Sequence, residues 1–138
     1  MTGAIVCVAV LAAAGAFGMI WNRRNGRMRD SQGPAADVAI LTEAELGGPL
    51  GGRATLVQFS TAFCAPCRAT RVLLADVARQ VDGVTHVEID AENHLDLVRR
   101  LDIRRTPTVL VLRPDGRIAQ RGSGQPRKVD VIAAIGAI

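Results

Sequence analysis

Residues 54–67, ATLVQFSTAFCAPC, carry the main fold signal of this chain. The first seven form a short, mostly apolar run with β-branched and aromatic members, which predicts a buried central strand. Cys64 and Cys67 follow within a few residues and open a stretch with helical spacing of its apolar residues. Pro66 suits the first turn of a helix, because a missing N–H costs nothing there. The segment therefore predicts a buried strand that leads into a helix with two cysteines at its start.

Helices and strands alternate along the chain around this segment. Before it, Thr42 and Glu45 have the spacing of a capping box at a helix start. The elements predicted after it are a helix over 66–80, a strand over 84–90, a helix over 91–101, strands over 108–112 and 117–121, and a closing helix over 126–138. Alternating strands and helices favour a parallel sheet covered on both faces, to which the final hairpin adds antiparallel strands. The predicted fold class is α/β, with a central mixed sheet flanked by helices.

The N-terminal part of the chain is apolar. Residues 3–21 carry no charge, and a helix of that length spans ~28 Å, close to the ~30 Å hydrocarbon core of a bilayer. A cleaved signal peptide would need a basic segment before the apolar run and a small-residue motif after it, but arginines follow instead. We predict a transmembrane anchor over 1–21, a flexible basic linker over 22–37 and a folded domain over 38–138.

The charges beside the apolar run predict its orientation. Four arginines follow the run, and Lys and Arg are retained on the cytoplasmic side of a membrane. The predicted location is therefore the cell membrane, in a single pass, with the domain on the cytoplasmic side. An inverted topology with the domain outside is the alternative. The third cysteine, Cys7, is interpreted as a small apolar residue that faces lipid or a neighbouring helix.

The spacing of Cys64 and Cys67 indicates redox chemistry. The free N–H groups and partial positive charge at a helix start favour thiolate over thiol, and thiolate is the attacking form in disulfide exchange. Cys64 is the predicted nucleophile, and Cys67, one turn further on, is the predicted resolving thiol. The alternatives are a purely structural pair and half of a zinc site, for which only His86 and His94 offer further ligands. We predict no metal.

Two segments resemble the signatures of the thioredoxin family. Residues 59–68, FSTAFCAPCR, look like its active-site segment, and residues 105–108, RTPT, look like its second signature. The resemblance covers about 38–138 and is strongest to membrane-anchored bacterial thioredoxin-like proteins. It implies a thioredoxin fold and a catalytic role for Pro107, in a cis peptide bond that faces the cysteines. The substrate groove that it implies contains Phe63, Ala65, Pro66 and Thr106.

The sequence departs from the family pattern near these motifs. Phe63 stands where the family usually has Trp, and Ala65 where it usually has Gly. Gln58 replaces a buried carboxylate that can take the proton of the resolving thiol, which an amide cannot do. His86 falls where a lysine often pairs with that carboxylate. We hypothesise that His86 accepts the proton of Cys67, directly or through water, because an unperturbed imidazole titrates near ~6.5.

Together these features predict a thiol–disulfide oxidoreductase that reduces protein disulfides near the membrane. Its predicted partners are disulfide-containing proteins, an unidentified electron donor and the membrane itself, and no cofactor is implied. The alternative is a redox-switched protein-binding module on the same scaffold. An aromatic content of 3% and a net charge of +4 without a basic stripe argue against nucleic acid as a partner.

Overall fold

The computed structural model describes residues 2–30 and 39–138. The elements, in chain order, are α1 (Thr2–Arg24), β1 (Arg29–Asp30), α2 (Glu43–Leu46), β2 (Ala54–Ser60), α3 (Ala65–Gln80), β3 (Val84–Asp90), α4 (Leu95–Arg100), β4 (Thr108–Leu112), β5 (Ile118–Ser123) and α5 (Lys128–Gly136). The strands form one mixed sheet in the order β1-β5-β4-β2-β3. β2 and β3 are parallel, and the other neighbouring pairs are antiparallel. The predicted mixed sheet flanked by helices is confirmed.

The central strands β2 and β4 have the predicted bounds, because every residue in both is buried. Their side chains alternate between two apolar layers. One layer joins Val57 and Phe59 to α2 and α4, and the other joins Leu56 and Val109 to α3 and α5. The sheet is thus covered on both faces, so a functional site is expected at the ends of its strands and not on a face.

The helix after β3 is shorter than predicted. α4 begins at Leu95 instead of residue 91. The carboxylate of Asp90 accepts hydrogen bonds from the backbone N–H of Glu92 at 2.9 Å and from the side chain of Asn93. Residues 91–94 therefore form a turn and its exit instead of the first turn of the predicted helix.

The capping box predicted at the start of α2 is present. Thr42 accepts from the N–H of Glu45, and the Glu45 carboxylate accepts from the N–H of Thr42 at 2.9 Å. β5 begins one residue later and ends two residues later than predicted, and α5 is two residues shorter than predicted at each end.

The structure differs from the predicted domain boundaries between residues 22 and 30. α1 continues to Arg24, and β1 pairs with β5 in the sheet. Met28 is the apolar residue of this polar stretch and packs against the core layer that contains α5. These contacts replace a flexible tether over 22–30, and the rest of the predicted linker, 31–37, lies outside the described residues.

α1 is long and apolar enough to cross a membrane, by length and composition. Its residues are exposed through Arg24, so within residues 2–30 and 39–138 no other part of the protein covers this helix. An N-terminal signal sequence has the same properties.

Candidate active site

The two cysteines lie where β2 leads into α3. Cys64 is the N-cap residue of α3, with an extended backbone, and Cys67 lies in the first turn. Their sulfurs form a disulfide bond, with the Cα atoms 5.2 Å apart. Cys64 is half-buried, whereas Cys67 is 1% exposed. An external reactant can therefore approach the sulfur of Cys64 but not that of Cys67.

The start of α3 stabilises negative charge on Cys64. The N–H of Cys67 donates to the Cys64 sulfur at 3.2 Å, so that this sulfur takes the place of an N-cap oxygen. The helix dipole adds a partial positive charge at the same point. Pro66 has no N–H to satisfy, and its carbonyl accepts from the hydroxyl of Thr70 at 2.9 Å. The arrangement favours a thiolate at Cys64 once the disulfide is reduced.

The structure brings the two sequence motifs together. The Thr106–Pro107 peptide bond is cis, as the resemblance implied. The hydroxyl of Thr106 hydrogen-bonds with that of Thr61 at 3.2 Å, and the carbonyl of Thr61 accepts from the N–H of Cys64 at 3.4 Å. Pro107 is buried, and its carbonyl accepts from the N–H of Gly124 at 2.7 Å. The start of β4 is thereby held beside the loop that carries Cys64.

The residues of the implied groove border Cys64 on its open side. Phe63 is 98% exposed, and Ala65 and Pro66 are exposed as well. Thr106 is half-buried. Phe63 therefore presents an apolar ring to the outside directly beside Cys64.

A neutral polar network lies behind Cys67. Gln58 is fully buried, and its amide nitrogen donates to Ser60 Oγ at 2.9 Å and to the Cys67 carbonyl at 2.8 Å. Its Oε1 lies 3.3 Å from Nε2 of His86. Because an amide oxygen can only accept, Nε2 must carry the hydrogen, and the lone pair of the neutral imidazole is on Nδ1. The side chain that replaces a carboxylate is thus fully hydrogen-bonded without any charge.

The charges around this network act on His86 in opposite directions. Burial lowers the pKa of His86, the carboxylate of Glu88 raises it, and the guanidinium of Arg71 lowers it. Burial also raises the pKa of Glu88, but hydrogen bonds from Arg71 and Ser60 outweigh this and leave that pKa below its usual value. Arg71 binds Glu88 through two hydrogen bonds of 2.5 and 2.8 Å. His86 is therefore mainly neutral at physiological pH.

This geometry restricts the hypothesis that His86 accepts the proton of Cys67. Nε2 cannot accept a proton while it donates one to Gln58, so Nδ1 is the nitrogen that remains to accept it. His94, the other histidine, is exposed, and its Nδ1 lies 2.9 Å from the Asp90 carbonyl. Within residues 2–30 and 39–138, no three His, Cys, Asp or Glu side chains form a group that could hold a metal ion.

Sequence reasoning missed the hydroxyl groups that join the motifs. Ser60, Thr61 and Thr70 each hydrogen-bond to a residue of the site or of its supporting network. The signal for the first two was their position at the end of a buried strand, of which Ser60 is the last residue and which Thr61 follows. Gly124 gave no signal, because its partner Pro107 is distant in sequence.

Comparison with known proteins identifies the family. The family model named Thioredoxin matches residues 40–137. The chain belongs to the thioredoxin family. Among curated relatives, thioredoxin H5 of rice (Oryza sativa subsp. japonica) is 28% identical over 49% of this chain and 50% of its own length. A thioredoxin of Ophiophagus hannah is 24% identical over 67% of this chain and 90% of its own length.

Solved structures support the thioredoxin fold. A mutant thioredoxin of Halobacterium salinarum NRC-1 matches with a TM-score of 0.58 at 20% identity, over 62% of this chain and 74% of that one. Chloroplastic thioredoxin z matches with a TM-score of 0.56 at 26% identity, over 62% of this chain and 78% of the other. This chain spans half to two thirds of the length of the rice thioredoxins H5 and H4-1.

Proposed function

We propose that this protein is a thiol–disulfide oxidoreductase that reduces disulfides in other proteins near a membrane. The observation that carries the proposal is the difference in access to the two sulfurs. Cys64 is half-buried at a helix start that favours thiolate, whereas Cys67 is buried one turn away within bonding distance. One cysteine can meet a substrate, and the other can only react with the first.

The reaction proceeds in two exchange steps. The Cys64 thiolate attacks one sulfur of a substrate disulfide, a mixed disulfide forms, and the other substrate sulfur leaves as a thiolate. The Cys67 thiolate then attacks the Cys64 sulfur and releases the second substrate thiolate. Two electrons pass to the substrate, and the protein ends with the Cys64–Cys67 disulfide. A dithiol electron donor must reduce that disulfide before the next cycle.

The proton of Cys67 needs an acceptor for the second step. We propose His86, through a water molecule at Nδ1, since Gln58 cannot take a proton. The lowered pKa of His86 keeps the imidazole neutral and thus able to accept.

Binding of the substrate involves the surface beside Cys64. We propose that Phe63, Ala65 and Pro66 contact the substrate and that an extended substrate segment pairs with the backbone at Thr106, as strands add to an open edge. Pro107 would hold that backbone in place, because it is buried and its carbonyl is bonded to Gly124.

Anchoring by α1 would confine this activity to a membrane surface. The apolar character of the helix and the arginines after it support a single-pass topology with the domain on the cytoplasmic side. A cytoplasmic domain would work in the reducing direction, because that compartment keeps thiols reduced.

Turnover with a defined reductant tests the proposal. The full chain in lipid nanodiscs, supplied with dithiothreitol, should reduce a fluorogenic disulfide peptide faster than dithiothreitol alone. Cys7→Ser is the matched control, because it removes a cysteine remote from the site, and this variant should keep full activity. A reduction potential near about −270 mV would fit a reductant, and one near about −120 mV would contradict the proposed direction. Partner binding without turnover would leave only the redox-switched binding module.

A further inference from the structure

α1 ends at the same end of the sheet as the cysteines. β2 and β5 finish there, at Ser60 and Ser123, and β4 starts there. The chain enters the sheet from α1 at this end, because β1 runs antiparallel to β5 and Gly26 donates to the carbonyl of Ser123 at 2.8 Å. The end of the helix and the disulfide therefore lie on one side of the domain.

From this we infer that the dithiol faces the membrane surface, so that its substrates are disulfides in membrane proteins, held close to the lipid headgroups. This inference rests on the proposed anchoring and activity. In the strand order, β1 and β2 are three interstrand spacings apart, which is about 15 Å. The site would lie within about that lateral distance of the point where α1 leaves the bilayer.

A continuous chain of contacts fixes this placement. Gly26 is bonded to Ser123, and the residue after Ser123, Gly124, is bonded to Pro107. Gly124 has a positive φ of 93°, and a Cβ there would collide with the side chain of Asn25. The residue that follows α1 thus packs directly against the residue that holds Pro107. A helix fixed in this way cannot act as a loose tether that lets the site turn away.

The side chains at this end suit an anionic bilayer. Arg23 and Arg24 end α1, Arg68 is exposed in the first turns of α3, and Arg105 is exposed beside Thr106. Arg105 donates to the same Ser123 carbonyl, at 2.9 Å, that accepts from Gly26. Arginine side chains are attracted to a surface of anionic lipid, and an exposed apolar ring such as Phe63 suits the boundary between headgroups and acyl chains.

Two acidic residues at this end lie on the far edge of the sheet, whereas Asp102, on the side of β5, is paired with Arg104 at 3.0 Å. Asp90 ends β3, the strand farthest from β1, and Glu92 follows it. Attraction to an anionic surface is therefore strongest on the side where α1 ends. The substrate would enter between the bilayer and the β3 edge.

The placement can be measured by lipid quenching of a single tryptophan. The chain has one Trp, so Trp21→Phe gives a background into which Phe63→Trp is introduced. Asp82→Trp is the matched control, because Asp82 is exposed at the opposite end of the sheet, two residues before β3 begins. The full chain, reduced and held in nanodiscs with anionic lipid, is compared with and without spin-labelled headgroups.

Quenching of the tryptophan at position 63 should exceed quenching of the one at position 82 by at least twofold. A ten-residue Gly/Ser insertion between Arg24 and Asn25 should abolish the difference while leaving the sheet intact. Equal quenching at both positions in the uninterrupted chain would overturn the inference, as would failure of the chain to remain with the lipid. Turnover of the soluble peptide is measured on the Trp21→Phe background, which keeps Phe63, and reports separately on the proposed activity: an active background with equal quenching contradicts only the placement.

Discussion

The two cysteines are three residues apart but lie in opposite environments. Cys64 is open to partners, borders the fully exposed Phe63 and receives an N–H from the start of α3. Cys67 is buried, and its carbonyl is bonded to Gln58, which is in turn bonded to His86. One helical turn therefore separates a residue that can meet a partner from a residue whose surroundings are entirely protein.

This contrast shows how a four-residue motif can place two chemically identical cysteine side chains in environments that suit different steps of one reaction. The charge on the Cys64 side is stabilised by backbone groups, which remain after any side-chain substitution except one to proline. The Cys67 side depends on neutral side chains that can be replaced one at a time. Substitutions on the two sides should therefore affect different steps of the reaction.

The largest effect should come from the cysteines themselves. Cys64→Ser should reduce turnover to the rate of the reductant alone, because no accessible sulfur remains to attack the substrate. Cys67→Ser, reduced and then freed of dithiothreitol, should stop at a mixed disulfide between Cys64 and the substrate, which intact-mass spectrometry can detect. A mixed disulfide in the Cys64→Ser variant instead would reverse the assigned roles.

Removal of the amide behind Cys67 should have the next largest effect. Gln58→Leu leaves the Cys67 carbonyl without its partner, which should lower the free energy of unfolding by about 1–3 kcal/mol. Release of substrate from the mixed disulfide should slow about fivefold, equivalent to about 1 kcal/mol, because the first turn of α3 is less well held. Urea unfolding and stopped-flow kinetics measure the two effects.

Thr55→Val is the control for this substitution. Thr55 is fully buried on the same strand, at the end away from the cysteines, and accepts from the N–H of Gly51 at 2.8 Å. It should lose similar stability without slowing the release step. Equal slowing in both variants would mean that Gln58 acts only through stability.

The pH dependence of stability should reveal the half-buried imidazole of His86. The pKa of His86 is lower in the folded protein than in the unfolded chain, mainly because of burial. As pH falls through about 6.5, the unfolded chain binds a proton that the folded protein does not, so stability is lost from about pH 7 downward. His86→Asn should remove this loss. The carboxylates with lowered pKa values, such as Glu88, lose their contribution nearer pH 4. An identical pH dependence in both proteins would contradict a lowered pKa of His86 in the folded protein.

His86 also gives a kinetic prediction. If it accepts the proton of Cys67, His86→Asn should change the pH dependence of the release step, whereas an unchanged profile would leave water as the acceptor. The profile is measured on the preformed mixed disulfide, so that attack by Cys64 does not contribute.

The smallest effect should come from the exposed ion pair beside the network. Arg71→Gln should change stability by less than about 1 kcal/mol, because surface ion pairs contribute little. It should nevertheless raise the pKa of His86, and Glu88→Gln should lower it, because these charges act on the imidazole in opposite directions. NMR titration of the His86 ring measures both shifts. Shifts in the same direction would show that a change of structure dominates.

Patterns carried by apolar residues predicted most of the fold. β2 and β4 could be bounded from sequence because they are buried along their whole length, and α3 because its apolar residues repeat at helical spacing. β1 could not, because Arg29 and Asp30 have no apolar alternation and form a strand only through pairing with β5.

The candidate site was predictable only in part. The roles of Cys64 and Cys67 follow from local spacing, whereas the contact between Gln58 and His86 depends on the register between β2 and β3. The Cys67 carbonyl accepts from the amide nitrogen of Gln58, so the amide oxygen is the atom that lies against His86. This direction decides which imidazole nitrogen carries the lone pair. No local sequence pattern contains that information.

The short strand β1 also determines where the domain can be cut. β1 pairs with the outer side of β5 and so forms one edge of the sheet. Among the described strands, β3 forms the opposite edge and carries the polar residues His86, Glu88 and Asp90. Edge strands are protected from pairing with other chains by such charged and polar residues. A fragment that starts at residue 38 would lose β1, expose the edge of β5 and invite self-association, whereas one that starts at residue 25 keeps both edges protected.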